Sequence, residues 1–332
     1  MTTIDTSAPG ERPVRPNMAQ FLSRYGTFAA FILLVLFNLI VTPNFLSWQT
    51  LNVNLTQVAT IVIVAVGMTL VIATGGIDLS VGSLMAIAGT AAPMIFMGTL
   101  LPIENMGVLV ILSFILPVLL VMAFGWFNGV LVTRFSIQPI IATLVLFIAG
   151  RGIAQVATNG NLQVFKNPDF QFIAMGRIAG IPAQVIIMII VAVLAHCLIR
   201  YTVIGRQIIA VGGNEKAARL TGIPVRRVKT FVYIVSGALA GIAGLIVVAR
   251  NSASDANLVG LGMELDAIAA VAVGGSLLTG GRANIIGTVL GAFVIQLVRY
   301  TLLANGVPDA AALIVKAGLI VIAVFIQQRA KG

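Results

Sequence analysis

From Phe28 to Val41 the chain runs for fourteen residues with one polar side chain, Asn38, and comparable apolar runs recur almost to the C-terminus. Such a run does not suit a strand of a membrane barrel, whose roughly ten-residue segments alternate polar and apolar side chains. It suits a helix in lipid. Only 9% of the 332 residues are charged, against about 25% in a soluble domain, while 59% are hydrophobic and the mean hydropathy is +1.08. The fold class that follows is all-α, a polytopic membrane protein whose solvent is lipid.

Turn signals between the apolar runs place about ten transmembrane helices, near 27–43, 56–73, 81–100, 107–124, 136–157, 181–199, 230–249, 263–277, 284–303 and 309–327. The run 263–277 is short enough to be re-entrant, and 107–134 is long enough to break in two. Residues 1–24 form a polar, Pro-rich tail expected to be disordered, ahead of a membrane domain at 25–332. The net charge of +10 reads as topology and not as a nucleic-acid surface, because the bases are scattered between apolar segments. With the N-terminus inside, fourteen of the twenty bases, among them Arg134, Arg206, Lys216, Arg226 and Lys229, fall on the cytoplasmic side. Both termini are then expected in the cytoplasm.

One cysteine, Cys197, and one histidine, His196, leave no disulfide and little zinc or imidazole chemistry, so no catalytic residue, cofactor or metal is expected. The adjacent pair reads as buried or interfacial packing. Three segments carry polar chemistry. Thr74-Gly75-Gly76-Ile77-Asp78-Leu79-Ser80 interrupts two apolar runs and holds an acid with no base nearby in sequence. Asp78 is placed either to cap the helix that starts near Ser80 or to serve a transport path or gate. The segment 200–229 contains a short helix signature: Asn214 to cap, Glu215 in the first turn, Ala217, Ala218 and Arg219 as helix formers, and Gly222 to stop it. From charge alone a solvated basic loop is the simpler reading. The third runs from Gly262 to Arg282; Gly275 and Gly280 have phosphate-loop spacing, but Gly281-Arg282 stands where Lys-Ser/Thr is needed, so any ATP is hydrolysed by another subunit. Gly237, Gly241 and Gly244, and Gly287 and Gly291, have the spacing of close helix packing.

These residues resemble a family. Ala65–Ala73 leading into Gly75-Gly76-Ile77-Asp78-Leu79-Ser80-Val81-Gly82, then Val211-Gly212-Gly213-Asn214-Glu215-Lys216-Ala217-Ala218-Arg219, then Glu264-Leu265-Asp266-Ala267-Ile268 before Gly274-Gly275, resemble in order and spacing the ribose-type sugar permeases of bacterial ABC importers, from about residue 50 onward. Within that family, Arg151 and Gln155 in Val145–Val156, and Asp255-Ala256-Asn257 in Ala253–Gly262, look most like permeases of galactofuranose importers. The resemblance implies a type II-like importer permease of the inner membrane, a second permease subunit, a cytoplasmic ATPase with two nucleotide-binding modules, and a periplasmic sugar-binding protein. It also implies that Gly212, Gly213, Asn214, Glu215, Ala217, Ala218, Arg219 and Gly222 form the helix that docks into the ATPase.

A path for a neutral sugar needs hydrogen-bonding groups without charge. Asp78, Ser80, Asn54, Gln57, Thr69 and Thr74 are the candidates for path or gate, with Asn52, Gln138, Thr143 and Gln155 as further polar positions. The alternative function is a stand-alone ion-coupled secondary transporter that titrates Asp78 or Lys316. An integral membrane enzyme has no convergent nucleophile, base and orienting acid to build on.

Overall fold

The computed structural model describes residues 18–101, 103–308, 310–315, 317, 318 and 321. The helices over these residues include α1 (Met18–Val41), α2 (Trp48–Ala73), α3 (Val81–Phe96), α4 (Met106–Thr133), α5 (Pro139–Ala157), α6 (Pro168–Met175), α7 (Ala183–Tyr201), α8 (Val203–Gly213), α9 (Glu215–Leu220), α10 (Val225–Asn251), α11 (Met263–Val273) and α12 (Ile285–Ala304). Residues 310–315 are helical as well, and four two-residue strands are present among the described residues. Gln163–Val164 (β1) pairs antiparallel with Ala253–Ser254 (β4), and Arg177–Ile178 (β2) with Ile181–Pro182 (β3).

By length and composition, α2, α4, α5, α7, α10 and α12 are able to cross a membrane. The 16 residues of α3 reach about 24 Å and the 11 of α11 about 16 Å at 1.5 Å per residue, against a hydrocarbon layer of roughly 30 Å. The segment expected at 263–277 is thus a half-helix ending at Val273, whereas α4 stays continuous through Pro117. The helix at α1 takes in residues 18–24, which the sequence places in a polar tail; residues 1–17 and most of the span expected at 309–327, Lys316 included, lie outside the described residues.

The centre is α2. Every residue from Val58 to Ala73 is buried, as expected of a helix that is apolar on all sides. By contrast, α4 buries a stripe, Leu109, Val110, Ser113, Pro117, Val121, Gly125, Asn128, Gly129 and Val132, and leaves most of its other side chains half-buried or exposed. Small residues set how closely these helices approach. A Cβ on Gly237 or Gly241 of α10 would fall on Val121 of α4, and one on Gly125 or Gly129 of α4 would fall on Tyr233 or Thr230 of α10. Gly291 of α12 lies in the same way against the Ala270 carbonyl of α11.

At one end of the bundle Phe96, Phe114, Phe165 and Phe170 interlock with ring centroids 4.9–5.7 Å apart, beside the β1–β4 pair. The other end carries α8, α9 and the α4–α5 turn. Cys197 is exposed on α7 and not buried, with His196 edge-on to Tyr201.

Candidate functional site

Three glycine-rich segments, far apart in sequence, meet at the α8 end. Helix α2 stops in a Schellman turn: Gly76 N–H donates to the Val71 carbonyl, Gly75 N–H to Ile72, and Gly75 takes φ +81, which a Cβ would resist. The Ala73 carbonyl then accepts from Gly281 N–H at 3.0 Å. Gly212, next to last in α8, lies so close that a Cβ on it would occupy the space of that carbonyl and of Gly281 N. The ends of α2 and α8 and the α11–α12 connection are therefore one backbone junction. Its glycines are needed for contact as much as for turning.

The segment expected to dock resolves into two helices, α8 and α9. Asn214 is extended (φ −157, ψ 102) and its Oδ1 accepts from Ala217 N–H at 3.0 Å, capping α9. Thr221 closes the helix; Gly222, at φ +82, donates to Arg219 O, and Ile223 to Ala218 O, the Schellman pattern again. Ala218 is buried against α10, and Leu220 is 89% exposed at the tip. Glu215 bonds Arg219 at 3.1 Å and, across to α10, Lys229 at 2.5 Å. The bond from Lys229 holds the Glu215 carboxyl below its ordinary value, against partial burial that pushes it up. Sequence reasoning missed Lys229 as a partner, because α10 begins at Val225 and so turns a basic loop into a helix start. Ser136 and Gln138 of the α4–α5 turn face α9 across a cavity of about 230 Å³ lined also by Arg219, Arg226 and Lys229.

Asp78 does not cap α3. The cap position is Ser80, which is itself helical (φ −78, ψ −9) and makes no side-chain capping bond. Asp78 lies ahead of it, fully buried, with Oδ1 accepting from Ser80 N–H (3.0 Å) and Ser80 Oγ (2.6 Å), and Oδ2 from Ser236 Oγ of α10 (2.7 Å). Ser80 Oγ in turn accepts from Asn128 Nδ2 of α4 at 2.9 Å. Four elements, the α2–α3 break, α3, α4 and α10, are joined by one buried carboxylate. Ser236 and Asn128 carry no sequence signal that ties them to it.

Several of the other path candidates bond across helices. Asn54 and Gln57 of α2 both accept from Gln296 of α12, at 3.4 and 2.6 Å. Thr69 bonds Thr288 of α12 at 2.9 Å, and Thr74 donates to Val71 O at the end of α2. Thr143 accepts from Leu79 N–H at 3.1 Å and Asn52 from Arg177 at 3.4 Å. Polar side chains buried between apolar helices are expected to pair in this way, since hydrocarbon offers them no alternative partner. Among the described residues, no group of three or more His, Cys, Asp or Glu side chains is placed to hold a metal.

Comparison with known proteins gives the family. The family described as the permease component of branched-chain amino acid transport systems matches residues 51–324. The chain is 40% identical over 311 residues to the galactofuranose transporter permease protein YtfT of Escherichia coli, covering 90% of this chain and 88% of the relative. It is 41% identical over 303 residues to the ribose import permease protein RbsC of Escherichia coli (90% and 92% covered), and 40% identical over 295 residues to the fructose import permease protein FruF of Bifidobacterium longum (85% and 81%). No solved structure matches the chain. A match over most of the chain, with relatives aligned nearly end to end, means that the protein belongs to the permease-component family of ABC importers.

Proposed function

We propose that this permease carries a monosaccharide into a bacterial cell, working as one of two permease subunits with a cytoplasmic ATPase of two nucleotide-binding modules and a periplasmic sugar-binding protein. The relatives named for galactofuranose, ribose and fructose support a sugar, and the galactofuranose-like residues Arg151, Gln155, Asp255 and Asn257 favour a furanose. The observation that carries the mechanism is α9. A six-residue helix capped at both ends, tied to α10 by Glu215–Lys229 and joined through α8 to the Gly212–Ala73–Gly281 junction, is a rigid lever. ATP-driven closure of the ATPase moves α9, and the movement reaches α2, the Asp78 cluster and the α11–α12 connection together. No chemistry on the sugar is required, so the chain is a transport subunit and not an enzyme.

Leu220 tests the docking role because it projects from the tip without supporting the fold. Leu220→Glu leaves insertion and the α9–α10 tether intact and is expected to weaken ATPase capture by roughly thirtyfold, as losing an apolar anchor of about 2 kcal/mol does. Copurification is the measurement. An ATPase that stays bound to the variant would remove α9 from the interface.

A further inference from the structure

The segment between α10 and α11 descends into the membrane layer. At Ala253–Ser254 it pairs with β1 at the end remote from α9, yet by Gly260 it lies on Gly82 and Met85 at the start of α3. One side chain of α5 holds it there. Arg151 Nη1 donates to the carbonyls of Ala256 (2.8 Å), Val259 (2.6 Å) and Asn257 (3.4 Å). One turn further on, Gln155 Nε2 donates to Asn257 Oδ1 at 2.7 Å, and Asn257 Nδ2 donates to Asp255 Oδ1 at 3.0 Å. At the inner end Glu264 is 6% exposed, lies against Gly82, and has an Oε2 with no hydrogen-bond partner.

This cluster sits where lipid cannot solvate it. Arg151 is twelve residues beyond Pro139, about 18 Å along α5, and six residues short of its outer end. Helix α5 buries only the strip Ala142, Thr143, Leu146, Gly150 and Ala154, while Asn257 is exposed and a Cβ on Gly152 would meet nothing within 4 Å. Charged and amide groups at that depth face the bundle interior or a water-filled cavity, because hydrocarbon would leave them unpaired. In this cluster Gln155 is half-buried and Asn257 exposed, bonded to each other and to Asp255 and not to another transmembrane helix.

Resting on the sugar-import reading, we propose that Arg151, Gln155, Asp255 and Asn257 form the solute-facing wall of the permeation path, a hydrogen-bonding station for a neutral polyhydroxylated solute. Guanidinium, amide and carboxylate alternate donors with acceptors over a few ångströms, the pattern that vicinal hydroxyls require. Arg151 positions the loop, and Gln155 with Asn257 meets the solute.

The test uses the assembled transporter in intact cells, with Cys197→Ser removing the native thiol. Gln155→Cys and Asn257→Cys are expected to react with a charged methanethiosulfonate, Lys166→Cys to react as the outer control, and Leu194→Cys on the exposed face of α7 to stay unmodified. If positions 155 and 257 are as inert as 194, the wall lies elsewhere. Gln155→Leu is expected to lower uptake of labelled D-ribose, D-fructose and D-galactose by up to about tenfold, the loss of one hydrogen bond, with Gln155→Asn recovering part of it. Normal uptake in a Gln155→Leu protein whose cysteine counterpart labels would also overturn the proposal. Failure of the unaltered protein to take up any of the three sugars would count against the sugar reading, and the labelling pattern would still decide the wall.

Discussion

Asp78 accepts three hydrogen bonds, two from Ser80 and one from Ser236, and reaches α4 through Ser80 and Asn128, and the three accepted bonds set what replaces it. Asparagine keeps one oxygen for Ser80 and turns an amide toward Ser236, whose hydroxyl can rotate to accept. Leucine leaves the Ser80 N–H and the Ser236 hydroxyl buried without partners, about 1–3 kcal/mol for each. Asp78→Asn is therefore expected to assemble at a cost of about 1 kcal/mol and to transport, while Asp78→Leu fails to accumulate as folded protein. Monodispersity in detergent and uptake decide it. A well-assembled Asn variant that does not transport would assign the charge itself a role in the gate. The position of Asp78 was legible from the sequence, as an isolated acid in a Gly-rich break. Its partners were not, because Ser236 lies 158 residues away and looks like any serine in an apolar helix. The same holds for Asn54, Gln57 and Thr69: the sequence marks them as polar groups in lipid, and only the approach of α12 shows that they are paired.

At the scale of elements, helix ends were read well and helix lengths less so. Asn214, Glu215 and Gly222 predict the start and stop of α9, since capping is a local interaction carried by side chains and backbone within a few residues. The lengths of α4 and α10 escape that reasoning, because both helices continue past the hydrocarbon through residues that polarity alone assigns to loops. The two glycines that end α8 look alike in sequence and differ in the structure. A Cβ at 212 strikes the Ala73 carbonyl and Gly281 N, whereas a Cβ at 213 meets nothing within 4 Å. Gly212→Ala is expected to cost about 1–3 kcal/mol by overpacking the junction. Gly213→Ala should be neutral or stabilising by less than about 1 kcal/mol from helix propensity. Thermal denaturation of the two purified variants measures the difference. Equal stabilities would mean that the ends of α2 and α8 can separate freely, and the lever from α9 to α2 would lose its fulcrum.

For the whole molecule the question is which end faces the cytoplasm, and two independent features answer together. Contacts sort the chain into ends: Gly281 with Ala73, and Glu215 with Lys229, at one; β1 with β4 at the other. Charge sorts it the same way. Arg134, Arg206, Lys216, Arg219, Arg226, Arg227, Lys229 and Arg282 gather at the first end, and Lys166, Arg177 and Arg250 at the second. The positive-inside bias predicts that the first faces the cytoplasm, which is where α9 must be to meet an ATPase. Only the count of crossings resisted the sequence, since hydropathy does not distinguish a span from the half-helix α11, which is buried among α2 and α12 and enclosed by protein where it stops short. Fusions of alkaline phosphatase, active only outside the cytoplasm, separate the two sides: a fusion after Lys166 is expected to be active and one after Lys216 inactive, with green fluorescent protein at the same points giving the reverse. Activity after Lys216 would place α9 outside the cell, where no ATPase can reach it, and the coupling role would fall even though the helix and its caps remained.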